Sequence, residues 1–133
     1  MSLNLDNNDR ILLAKLIHSE SAGESYLDKR RVCSVVVNRI KHKSFPNTVS
    51  GVIYQRNQFS GVDGHNFYYN PSHNSCKDSM KAVDDVLENG TIINALFFCN
   101  PKISSRGGLK FMSKLQLVVR GRNHWYYTLN DKK

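Results

Sequence analysis

Arg10-Ile-Leu-Leu-Ala-Lys-Leu-Ile-His-Ser-Glu-Ser-Ala-Gly-Glu24 decides the reading of this chain. Leu13, Leu16 and Ile17 recur at helical spacing, and Glu20 is the next member of the same face. An apolar stripe that runs into a carboxylate needs a reason. Gly23 reads as a helix terminator, which puts Glu20 in the last turn. That end carries the negative pole of the helix dipole, which disfavours a carboxylate. Burial disfavours the charge as well, so both effects push the pKa upward. A carboxylic acid still protonated near neutral pH is what glycoside cleavage uses as its general acid. The ordinary alternative is a solvated surface glutamate, and position alone does not separate the two. Glu24, one turn on, is either such a solvated residue or a like charge that raises the pKa of Glu20 further.

The rest of the chain bounds the answer. Its 133 residues suit a single domain, 1–133, with no interior linker. Hydrophobic residues make up 40 %, enough for a core, and no apolar run is long enough to span a membrane. The polar start, Met1-Ser-Leu-Asn-Leu-Asp-Asn-Asn8, lacks the basic-then-apolar order of a signal peptide, so no standard export signal is expected. Cys33, Cys76 and Cys99 are odd in number and far apart; they read as buried free thiols rather than a disulfide framework. The five histidines show no HExxH or similar spacing, so neither a metal site nor another cofactor is expected. The net charge of +8 favours polyanionic partners, namely nucleic acid, anionic lipid or anionic wall polymers, without ranking them. Lys29-Arg30-Arg31 and Lys41-His42-Lys43 read as solvated helix faces.

Along the chain, a first helix is expected from an Asn7, Asn8 or Asp9 cap to about Ala22. A second runs from Ser25 to Lys41, with Cys33, Val36, Val37 and Ile40 inward and Lys29 to Arg31 toward solvent. Pro46-Asn47-Thr48 caps a short helix from Val49 to Tyr54. Arg56 to Pro71 is a long loop without periodicity, and long loops in compact domains are often functional. A further helix from Ser72 places Cys76, Met80, Val83 and Leu87 on one face and ends at Asn89-Gly90. Strands follow over Ala95 to Cys99, Leu115 to Val119 and His124 to Leu129, the last two around an Arg120-Gly-Arg-Asn123 hairpin. Helices first and a small antiparallel sheet last describe an α+β domain.

Four blocks carry a resemblance. They are Leu16-Ile-His-Ser-Glu-Ser-Ala-Gly-Glu24; Val35-Val-Val-Asn-Arg39; Phe45-Pro-Asn-Thr-Val-Ser-Gly-Val-Ile-Tyr-Gln55 with Gln58-Phe-Ser60; and Cys99-Asn-Pro101 with Gly121-Arg-Asn-His-Trp-Tyr-Tyr127. In this order the chain resembles the cell-wall hydrolase family of spore cortex-lytic enzymes, the SleB/CwlJ type. Ser21 stands where that family often has alanine, Arg56 where it often has proline, and Arg122 is inserted before Asn123-His124. A tryptophan expected after Asn100-Pro101 is missing. The resemblance implies a lysozyme-like fold, a helical lobe and a small antiparallel sheet lobe with a groove between. It implies peptidoglycan glycan strands as the substrate; a monomer and no specific nucleic-acid partner are expected. Activity is expected at the bacterial cell wall or spore cortex, and the missing signal is compatible with delivery by the spore coat or by a phage.

It further implies cleavage between N-acetylmuramic acid and N-acetylglucosamine by a lytic transglycosylase route, with Glu20 as acid and then base. Asp63 is either a turn former beside Gly64 or a second carboxylate, in which case a hydrolysing muramidase gains weight. Gln58, Phe59 and Ser60 either line the groove or hold the loop and core. Asn100 bonds sugar or forms a turn with Pro101. His124 and Tyr126 share one strand face, and so line the groove or pack beneath it. Tyr68-Tyr69 is a sugar platform or a loop anchor. A non-catalytic wall-binding protein and a nucleic-acid-binding module are the other classes; no helix-turn-helix, RNP or zinc motif supports the second.

Overall fold

The computed structural model describes residues 3–55, 59 and 69–130. Helix α1 (Asn7–Ser21) is capped by Asp6, one residue before the expected caps, where the Asp6 carboxylate accepts from the Asp9 N–H at 2.8 Å. Leu13, Leu16 and Ile17 are all fully buried. Each such side chain stabilises by about 1.5–3 kcal/mol. A carboxylate in a last helical turn costs only about 0.3–1 kcal/mol, so the apolar stripe sets the rotation of the helix and Glu20 follows it. Gly23 ends the segment at φ +79°, a conformation that favours glycine.

Helix α2 (Tyr26–Lys41) is capped by Ser25, whose hydroxyl accepts from the Asp28 N–H at 3.1 Å. Its stripe of Cys33, Val36, Val37 and Ile40 is buried as expected. Lys29 departs from expectation: it is 4 % exposed rather than solvated. Its ammonium donates to the carbonyls of Ser21 at 2.8 Å and Glu24 at 2.9 Å. Those oxygens lie at the end of α1 and just beyond it, where helical partners run out, and a lysine can take their place. Arg39 is also buried. Its Nε donates to the Leu96 carbonyl at 2.7 Å, and the guanidinium lies 5.0–5.3 Å from the ring centres of Phe45, Phe59 and Phe97. Burial lowers its pKa to about 10, so it stays cationic at neutral pH.

Thr48 caps the short α3 (Val49–Ile53), and α4 (Asn74–Asn89) ends at Gly90 with φ +96°. Helix α4 packs against both α1 and α2. Strands β1 (Phe97–Cys99), β2 (Gln116–Arg120) and β3 (Trp125–Thr128) form an antiparallel sheet in the order β1-β3-β2, with Phe98 opposite Tyr126. The pairing of β2 with β3 is irregular between Leu117 and Val119. Helix α5 (Arg106–Met112) was not expected from sequence. It contains Gly107 and Gly108 and buries none of its residues, so it has no apolar stripe to reveal it. Among the described residues, no helix is long and apolar enough to cross a membrane.

Candidate active site

A cleft of about 420 Å³ lies where the end of α1 faces the sheet. Ser19 and Glu20 enter it from the last turn of α1, and Glu24 from the turn that follows. Phe98, Cys99 and Asn100 line it from β1 and the residue after it, Ile103 and Ser104 from the segment before α5, and His124 from the residue just before β3. Two carboxylates, an imidazole and an amide therefore converge on one opening. Ile103 is 82 % exposed at its edge, an apolar surface beside these polar groups.

The turn holding Glu24 is fixed from several directions. Glu24 N–H donates to the Ser21 carbonyl at 3.0 Å. Lys29 takes the carbonyls of Ser21 and Glu24 from beneath. The Glu24 carboxylate accepts from the Asn123 amide at 2.8 Å, tying α1–α2 to the β2–β3 turn. That turn is tight. Gly121 N–H donates to the His124 carbonyl at 2.8 Å, and a Cβ on Gly121 would lie 2.7 Å from that same oxygen.

Behind the cleft lies a buried carboxylate, Asp28, which sequence reasoning missed. It accepts from the Ser21 hydroxyl at 3.0 Å, from the Tyr126 hydroxyl, and from His124 Nδ1 at 2.8 Å. Burial raises its pKa, but the bonds from His124 and Tyr126 outweigh this, so Asp28 titrates below the usual carboxylate range. His124 moves the other way. Burial lowers its pKa, the bond and charge of Asp28 raise it, Glu24 and Glu20 add to the rise, and the net shift is upward. Burial and the Asp28 anion together push the Tyr126 phenol far up, leaving it neutral.

The expected site residues thus divide. Glu20, Glu24, Asn100 and His124 meet at the cleft. Tyr126 is fully buried beneath His124, so it supports the wall and does not line it. Phe59 is 6 % exposed and packs on Arg39 and Phe98 within the core, so it is not a cleft residue. Asn100 also makes a turn: its carbonyl accepts from Ser104 and its side-chain oxygen from Lys102 N–H. Tyr69 packs against the core. Gln58, Ser60, Asp63 and Tyr68 lie outside the described residues. Among the described residues, no group of three or more His, Cys, Asp or Glu side chains is placed to hold a metal.

Asp28 had one visible signal. Ser25-x-x-Asp28 reads as a capping box, in which the acid serves its own helix end. Here Ser25 does cap, but the Asp28 carboxylate is turned to Ser21, His124 and Tyr126.

A family model described as cell wall hydrolase matches residues 23–127. Glu20 lies three residues before that span. Among curated proteins, a spore cortex-lytic enzyme of Bacillus cereus is 38 % identical over 94 residues, 71 % of this chain and 35 % of the relative. That of Bacillus subtilis is 32 % identical over 97 residues, 71 % of this chain and 30 % of the relative. The chain therefore spans about a third of the length of these relatives. Among solved structures, the catalytic domain of the germination-specific lytic transglycosylase SleB from Bacillus anthracis superposes with a TM-score of 0.76 at 29 % identity. It covers 96 % of this chain and 100 % of that one. The catalytic domain of Bacillus cereus SleB gives 0.74 at 30 %, over 94 % and 93 %. These superpositions bear out the expected lysozyme-like α+β architecture.

Proposed function

This chain belongs to the cell wall hydrolase family, and on that premise we propose that its cleft cleaves the glycan strands of bacterial peptidoglycan as a lytic transglycosylase. The observation that carries the reading is the meeting of Glu20 with Glu24, Asn100 and His124 in one cleft at the end of α1. The solved SleB domain, named as a lytic transglycosylase, supports the reaction class.

In this reading the strand lies across the cleft with the bond between N-acetylmuramic acid and N-acetylglucosamine at Glu20. Glu20 gives its proton to the glycosidic oxygen as the C1–O bond breaks, and positive charge develops on the muramic sugar. The Glu20 carboxylate then takes the proton of the muramic C6 hydroxyl. The C6 oxygen bonds to C1, and the product is a 1,6-anhydro end formed without water. The helix end suits this cycle, because the negative pole of the dipole favours return to the protonated acid. Asn100 and His124 offer bonds to acetamido and hydroxyl groups.

A second reading, hydrolysis with Glu24 as the other carboxylate, is favoured by the place of Glu24 on the same cleft. The two readings differ in product. Purified spore cortex and vegetative peptidoglycan are digested with wild type, Glu20→Gln and Glu24→Gln, and the fragments are weighed. Anhydro ends from wild type, and a loss of at least about 100-fold in Glu20→Gln, are expected. Reducing-end muramic acid that disappears in Glu24→Gln would assign the hydrolytic route. Activity retained in Glu20→Gln would overturn both readings. Comparing the two substrates ranks cortex against ordinary wall.

A further inference from the structure

The Asp28 carboxylate is 6 % exposed and does not line the cleft, yet it joins three elements. It rises from the first turn of α2 and receives donors from the last residue of α1, from the residue before β3 and from β3 itself. An ionised carboxylate only accepts. The His124 nitrogen facing it, Nδ1, must therefore carry the proton, and the ring nitrogen left for the cleft is Nε2. Phe98 lies edge-on to the imidazole at 5.1 Å and Tyr126 at 6.3 Å, so aromatic rings brace its orientation. Ser21 adds a third donor to the carboxylate.

We propose that Asp28 is a positioning residue for this cleft: acting through His124, it holds the Nδ1–H form and so presents Nε2 to an oxygen of the bound glycan beside Glu20. The proposal rests on the glycan-cleaving reading above for its substrate, but not for its geometry. Where a buried carboxylate orients a histidine that meets substrate, the partner decides which nitrogen does the work. Among the described residues, the charged and titratable groups around His124 are Asp28 from α2, Glu20 from α1, Glu24 from the turn after it and Tyr126 from β3. Arg31 of α2 lies over the ring of Tyr126. The acids outweigh burial, so the imidazolium persists above the ordinary histidine value and Nε2 offers a proton to a sugar oxygen. Losing the Asp28 charge leaves burial in place, and the His124 pKa falls.

The test reads the histidine and the reaction separately. Imidazole ¹⁵N NMR on wild type is expected to show Nδ1–H in the neutral form and a His124 pKa above 6.5. An Nε2–H neutral tautomer, or a pKa below that value, overturns the proposal even if no variant folds. In Asp28→Asn the pKa drops and the single tautomer is lost. kcat on peptidoglycan falls roughly 10- to 100-fold, the range that orienting partners of an imidazole command, and the alkaline limb of its pH profile moves toward acid. Tyr126→Phe removes a donor to the same carboxylate without touching Nδ1. It is expected to lower thermal stability while leaving tautomer and pH limb in place. An unchanged limb in Asp28→Asn, or an equal shift in Tyr126→Phe, reduces Asp28 to a structural joint and ends the proposal. Failure of wild type to cleave peptidoglycan would instead strike the functional reading, with the NMR result standing apart from it.

Discussion

Lys29→Met tests whether a buried ammonium holds together the turn that follows α1. The lysine donates to the carbonyls of Ser21 at 2.8 Å and Glu24 at 2.9 Å from a site 4 % exposed. Hydrogen bonds from a charged donor contribute about 1.5–3 kcal/mol each, so two set an upper bound near 6 kcal/mol. Two effects reduce that figure. Methionine fills the volume of the lysine stem, and the variant no longer incurs the several kcal/mol needed to bury an ammonium. The carbonyls also differ. Glu24 follows exposed Ala22 and Gly23, so water can serve its oxygen. Ser21 is fully buried, and its carbonyl keeps only the Glu24 N–H. The expected loss is therefore about 2 kcal/mol, the cost of one under-served buried acceptor plus part of a charged bond. Equilibrium urea unfolding measures it as a fall in midpoint of about 1 M, taking a slope of about 2 kcal/mol per molar. Exposed Lys77→Met is the control and should stay within about 0.5 kcal/mol. A loss below about 0.5 kcal/mol at unchanged slope, or an equal loss in the control, would refute the reasoning.

Three further outcomes follow from the same geometry. The Asp28–His124 pair should give the fold a two-sided pH dependence. The folded pKa of Asp28 lies below 3.8, so its stabilisation is present above that value and is lost as pH falls through the folded pKa. The folded pKa of His124 lies above 6.5, so its stabilisation is full below that value and is lost as pH rises through the folded pKa. Thermal unfolding across pH should show both limbs, and His124→Gln should remove the upper one. Gly121→Ala would set a methyl 2.7 Å from the His124 carbonyl, a backbone atom that cannot swing aside. A loss of about 1–3 kcal/mol in chemical unfolding is expected, with glycan cleavage weakened as His124 moves. Thiol titration of the folded chain should find Cys99 alone, reacting slowly. Cys33 and Cys76 are fully buried, while Cys99 is half-buried on the cleft with a pKa raised by burial. Three reactive thiols appear only on unfolding.

Local patterns carried much of the fold. The stripe of Leu13, Leu16 and Ile17, the caps at Ser25 and Thr48, and the stop glycines at 23 and 90 are each set by near neighbours, so helices α1 to α4 were legible. The same holds for Glu20, whose place follows from one helical face. Helix α5 was not legible, because a short exposed helix with two glycines has no period to read. Tyr126 and Phe59 stood on the right elements, but which side of a wall a side chain faces depends on packing between distant segments.

Lys29 and Asp28 show where such reading stops. They are neighbours in sequence, both charged, and both buried at the start of α2. On a helical pattern they read as a solvated lysine and a capping acid. Their reasons for burial lie elsewhere in the chain. Lys29 answers carbonyls at the end of α1 and just beyond it, left open because Gly23 turns the chain there, and Asp28 answers a histidine 96 residues away. Each pulls the end of α1 against another element, Lys29 from below and Asp28 toward the sheet. Glu20 sits in the turn that both of them hold. The acid is thus legible from its own helix, while the device that keeps it facing His124 is written in residues whose local pattern suggests something simpler.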